Sequence, residues 1–142
     1  MLTLEQFKAA RATLRGVIRT TSLIHSPALS RACGNQVYLK PENMQVTGAY
    51  KIRGAYYKIS TLSEEEKSRG LITASAGNHA QGLAYAAQAA GVPATIVMPT
   101  TTPLVKVNNT KDYGARVILH GEVFDEAAEK AAQLAGEEGL TY

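Results

Sequence analysis

The chain has 142 residues, of which 45% are hydrophobic and 19% charged, and its formal net charge is +3. Such a composition suits a soluble globular protein with a real core and excludes disorder over most of the length. No apolar run approaches the roughly 18 residues of a spanning helix, and no Lys/Arg block or basic–aromatic run speaks for nucleic acid.

The amino terminus, MLTLEQFKAARATLRG, mixes charge among its apolar residues and lacks the centre of a secretory signal. Cys33 is the only cysteine, so no intrachain disulfide forms and a reducing, cytoplasmic setting is expected. At the end of a short helix, Cys33 reads as a small packing residue rather than a nucleophile. His25, His79 and His120 lie too far apart for a local zinc pattern, so no metal is expected.

In chain order, a helix is expected over 4–15, another over 27–33, and a strand at VYLK, 37–40. Residues 49–62 place Ile52, Ala55, Tyr56 and Ile59 at helical spacing, with Tyr50, Tyr56 and Tyr57 packing around a core. Ser63 followed by Glu66 is a capping-box pattern for a short helix to about Ser68. Glu64, Glu65 and Glu66 then read as a solvated helix start, and Arg53 and Lys58 as surface or ion-pair residues.

The second half alternates more regularly. Strands are expected at LITAS (71–75), ATIVM (94–98), RVILH (116–120) and the terminal LTY (140–142). Helices fill 79–90, the stretch after Thr102 (N-cap) and Pro103 (first helical position), and 123–136 with a stripe of Phe124, Ala127, Ala128, Ala131 and Leu134. Gly70, Gly91, Gly114 and Gly139 each follow a helical stretch and supply the left-handed residue that ends it. The apolar runs recur about every 21–25 residues, the rhythm of βα units. The expected fold is α/β: three layers, a mainly parallel open sheet with helices on both faces. In such sheets ligands collect at the carboxyl ends of strands, so Ser75–His79, Pro99–Thr102 and His120–Glu122 should share one edge. The segment after VYLK joins them if its strand runs parallel to the others.

Two stretches carry candidate chemistry. Ser75-Ala76-Gly77-Asn78-His79-Ala80-Gln81-Gly82 follows a strand and opens a helix. Its small residues and free N–H groups make an anion site for a carboxylate or phosphate, or simply a tight turn with a Ser/Asn cap. It is neither a Walker loop nor GxGxxG. Thr47-Gly48-Ala49-Tyr50-Lys51 places Lys51 in the first turn of a helix. A partly buried lysine there is able to form a Schiff base with an aldehyde; the plainer reading is a solvated lysine. Histidine 79 reads as a packing or supporting residue, and a stacking role is open for Tyr50.

LKPENMQVTGAYKIRGA, then TASAGNHAQG, then IVMPTTTPLVKV, resembles the amino-terminal part of the threonine dehydratases (threonine ammonia-lyases). These are fold type II, tryptophan-synthase-β class, pyridoxal-phosphate enzymes. The resemblance runs through nearly the whole chain. It implies that Lys51 holds pyridoxal 5'-phosphate as a Schiff base and takes the substrate α-proton. It implies that Asn78 hydrogen-bonds the cofactor's phenolic oxygen and that Tyr50 lies beside its ring. Ser75, Ala76, Gly77, Asn78 and His79 would receive the substrate carboxylate. The implied reaction is β-elimination from L-threonine, with L-serine as a second substrate, giving a 2-oxo acid and ammonia. Serine racemases carry a second serine where this chain has Ala76, which favours a dehydratase.

Family members are more than twice this length. A tetraglycine phosphate loop and a residue meeting the pyridine nitrogen are expected downstream of position 142. Residues 1–45 are thus expected as an incomplete segment of the large domain and 46–142 as the small domain, with the isolated chain inactive. The resemblance also implies a homo-oligomeric parent acting on a small amino acid, without nucleic acid or membrane. Two other readings stay open: a non-catalytic α/β domain binding a small anion, and another family member such as a serine racemase.

Overall fold

The computed structural model describes residues 2–142. Helix α1 (Leu4–Thr13) starts on a reciprocal cap, in which the Gln6 N–H donates to the Thr3 hydroxyl and the Thr3 N–H to Gln6 Oε1. Strand β1 (Ile24–His25) runs into α2 (Pro27–Cys33), which ends at Gly34 with φ 68°. Strand β2 (Tyr38–Leu39) pairs antiparallel with β1. The VYLK strand therefore belongs to a separate two-stranded ribbon and not to the parallel sheet. Neither helix of this segment buries a residue, so Cys33 is exposed instead of packed.

Buried polar contacts tie this segment to the rest. Gln45 Oε1 accepts from the N–H groups of Arg19 (2.7 Å) and Val46 (3.0 Å), and its Nε2 donates to the Arg19 carbonyl (2.8 Å). Arg53 grips Glu42 with both ends of its fork, Nε to Oε2 at 2.9 Å and Nη2 to Oε1 at 2.8 Å. Thr21 adds a hydroxyl donor at 2.6 Å. These bonds hold the Glu42 carboxyl at about 2, with Arg53 the largest cause and burial opposing it.

Helix α3 (Lys51–Ser60) follows, then α4 (Glu64–Ser68) on the expected Ser63–Glu66 capping box. The parallel sheet has the order β3 (Leu71–Ala74), β4 (Ala94–Met98), β5 (Arg116–Leu119). Thr141 bridges to Leu71 on the outer side of β3. Helices α5 (Asn78–Ala90) and α6 (Leu104–Asp112) make the two forward crossovers, and α7 (Phe124–Glu137) makes the return past β3. Right-handed connections then require α7 on the opposite face. Two cores result. Leu71, Ile96 and Met98 pack with Ala80, Ala84, Ala87, Val107 and α3. Ile72, Ala74 and Val97 pack with Ala127, Ala131 and Leu134. Strand β4 is buried along its whole length, as a strand covered on both faces must be.

One helix start differs from the sequence reading. Pro103 is the half-in residue of α6, with ψ 133°, so the helix begins one position later than expected. The Thr102 hydroxyl caps nothing; it is buried with no hydrogen-bond partner among the described residues. No helix among the described residues is long and apolar enough to cross a membrane.

Candidate functional site

The loop into α3 turns at Gly48, whose φ of 70° is left-handed backbone that glycine adopts without strain, and the Gly48 N–H donates to the Gln45 carbonyl at 2.9 Å. Lys51 is the first residue of α3. Its backbone rests on α5 at Gly82, where an added β-carbon would stand 3.1 Å from the Ile52 nitrogen and 3.2 Å from the Lys51 carbonyl carbon. Gly82 thus lets two helix backbones meet. Lys51 is exposed rather than partly buried. Its Nζ lies 5.5 Å from the Tyr50 ring centroid. Tyr50 itself is 59% exposed and packs in no core, unlike the partly buried Tyr56.

The turn between β3 and α5 lies close enough for the Lys51 charge to act on its His79. Ser75 is buried, and its hydroxyl accepts from the Ala80 N–H (3.1 Å) and the Gly77 N–H (3.4 Å). It therefore caps α5 from two residues before the N-cap, Gly77. The N–H groups of Ala76, Asn78 and His79 have no acceptor among the described residues. Asn78 is exposed at the first position of the helix. His79 is half-buried; burial and then the Lys51 charge push its imidazole below its ordinary value, toward the neutral form. His79 also borders an apolar cleft of about 200 Å³ between α3, β3 and Thr141.

The two other loops share this edge. The Thr100 N–H donates to the Gly121 carbonyl at 2.8 Å, and the Thr101 hydroxyl to that of Glu122 at 3.0 Å. Lys106, from α6, was not among the candidates. Its Nζ stands 3.8 Å from where a Gly77 β-carbon would be. The spacing of PLVKV held no signal for it, since its position follows from the packing of α6 on α5. No group of three or more His, Cys, Asp and Glu side chains suited to a metal occurs among the described residues.

An exposed primary amine whose charge reaches a turn of free N–H groups is a donor set suited to an aldehyde carrying an anionic amino acid. A curated L-threonine ammonia-lyase of Thermotoga maritima is 54% identical over 142 residues, covering 100% of this chain and 35% of its own. The catabolic L-threonine dehydratase TdcB of Staphylococcus aureus is 51% identical, covering 99% of this chain and 41% of its own. The chain thus spans 35% to 41% of the length of these relatives. Among solved structures, the processed threonine deaminase isoform 2 of Solanum lycopersicum superposes with a TM-score of 0.85 at 39% identity, over 99% of this chain and 43% of that one. Maize serine racemase superposes at 0.90 with 33% identity, over 97% and 42%. The model of the family described as pyridoxal-phosphate dependent enzyme matches residues 14–142. The chain belongs to the pyridoxal-phosphate dependent enzymes, of fold type II.

Proposed function

We propose that this chain carries the cofactor lysine and the substrate-carboxylate turn of an enzyme that dehydrates and deaminates L-threonine, and L-serine as a second substrate. The observation that carries the proposal is the seat of Lys51 on Gly82 of α5, the helix that the Ser75–His79 turn opens, together with the action of the Lys51 charge on His79. The cofactor, bound at Lys51, supplies the sink for electrons released when a bond at the substrate α-carbon breaks.

The chain's own residues then have these roles. The free N–H groups of Ala76, Asn78 and His79 receive the carboxylate, and Ser75 fixes the turn that aims them. Lys51 Nζ takes the α-proton. Asn78 meets the cofactor's phenolic oxygen, and Tyr50 flanks its ring. His79, held toward neutrality, adds no proton of its own near pH 7. Ala76 offers no hydroxyl for proton transfer on the opposite face, which supports elimination over racemisation. Identity is also higher to the threonine enzymes than to the maize racemase.

We further propose that residues 1–45 and 46–142 are two units, of a large and a small domain. The separate sheets of β1–β2 and β3–β5 support this. A cytoplasmic setting agrees with the single, exposed Cys33. A homo-oligomeric parent acting on a small amino acid completes the reading.

Titration of the chain with pyridoxal phosphate tests it. A visible absorbance band is expected, with borohydride fixing the cofactor to Lys51 on peptide mapping. Binding of small carboxylates at the turn with no band would establish the non-catalytic anion-binding reading instead.

A further inference from the structure

We propose that Lys106 is a second determinant of the substrate class: its ammonium pairs with the carboxylate at the Ser75–His79 turn and makes a free carboxylate a requirement. The proposal rests on the reading of that turn given above.

Helix α6 lies against α5 in a rung-by-rung register. Lys106 meets Gly77, with Nζ 3.8 Å from a β-carbon built there. One turn on, Asn109 Nδ2 donates to Gln81 Oε1 at 3.5 Å. Two turns on, Tyr113 meets Tyr85 edge to face at 5.4 Å between centroids. Residues 106, 109 and 113 form one stripe of α6 and its C-cap, and 77, 81 and 85 one stripe of α5 and its N-cap. The register therefore fixes Lys106 at the mouth of the turn. Rigid neighbours reinforce it, because Val107 and Thr110 are buried and the Thr110 hydroxyl donates to the Lys106 carbonyl at 2.8 Å.

The half-buried Lys106 has no carboxylate within salt-bridge distance among the described residues. Its Nζ stands beside Gly77 at the head of α5, where the helix dipole disfavours a cation unless an anion lies between them. Other positive charge is scarce at the turn. His79 is biased to neutrality, and the Lys51 amine is reserved for the aldehyde. An N–H turn alone accepts any small anion; an added ammonium separates a carboxylate from its neutral amide.

The test uses the full chain and two unreactive ligands, L-2-aminobutyrate and L-2-aminobutyramide. Amide NMR shifts of Ala76, Gly77, Asn78 and His79 report binding at the turn. The wild-type chain is expected to bind the carboxylate about tenfold more tightly than the amide. In K106M that preference should fall to about unity, and in K106R it should return. K106Q replaces K106M if the latter fails to fold. Wild-type preference that persists unchanged in the neutral variant overturns the role of Lys106 while leaving the turn's role standing. Absence of any carboxylate-dependent shift at these four amides in the wild type overturns both.

Discussion

Gly82 and Lys51 meet backbone to backbone, and the space that a side chain at position 82 would need is already filled by the first turn of α3. The obstacles are main-chain atoms with little room to move. A β-carbon at 3.1–3.3 Å has to push α3 outward by a few tenths of an ångström. Alanine would recover about 1 kcal/mol of helix propensity, which offsets part of that strain. Gly82→Val has no such offset and is expected to lose about 2 kcal/mol or more in urea unfolding. Gly82→Ala should stay near wild-type stability and still weaken cofactor attachment at Lys51. Full retention of the absorbance band in both variants would contradict the proposed seat.

The Glu42–Arg53 pair makes stability depend on acid. Glu42 is held at about 2 against an ordinary 4.5. The unfolded chain therefore binds the extra proton first as pH falls, so the contribution is complete above 4.5 and is lost as pH drops toward 2. Both side chains keep some solvent contact, so its size is about 2 kcal/mol. Unfolding curves of Glu42→Gln should be less stable at pH 7 and much flatter across that acid window. An unchanged slope would remove Glu42 as its source.

His79 reports on Lys51. Its midpoint, followed by NMR of the imidazole protons, is expected below the ordinary 6.5. In Lys51→Met the midpoint should rise without reaching 6.5, because burial is the larger cause and stays in place. A midpoint that ignores the substitution would mean that the amine stands farther from the imidazole than the structure places it.

Ser75→Ala removes the acceptor of two N–H groups at the head of α5. A cost of about 1–2 kcal/mol is expected in denaturant unfolding. Ser75→Thr keeps the hydroxyl and should recover part of it. If alanine costs nothing, the Ala80 N–H has found another acceptor.

What the sequence made legible was local. Ser63 with Glu66, and the left-handed Gly70, Gly91, Gly114 and Gly139, mark helix ends through bonds spanning a few residues. The β-branched runs 94–98 and 116–119 are strands with almost unchanged limits, the first buried throughout and the second exposed at both ends on the sheet edge. Strand β1 escaped notice because two residues carry no periodicity, and its partner lies beyond α2. The motif around Lys51 and Asn78 singled out the turn before α5, where Ser75 makes the cap that was one of its two readings, while Gly82 serves helix packing. Lys106 was invisible because its place is set by the register of two helices, which no local pattern encodes.

The bridge between Leu71 and Thr141 gives β3 its outer neighbour from about 70 residues later in the chain. Its inner neighbour, β4, is much nearer in sequence. During synthesis β3 and β4 can pair early, while the other edge of β3 stays bare until α7 has crossed beneath the sheet. Closure is thus a late event that draws together distant parts of the chain, and such contacts slow folding. Until then the exposed hydrogen-bonding groups of β3 are open to strands of other molecules, so the yield of native chain should fall with concentration during refolding.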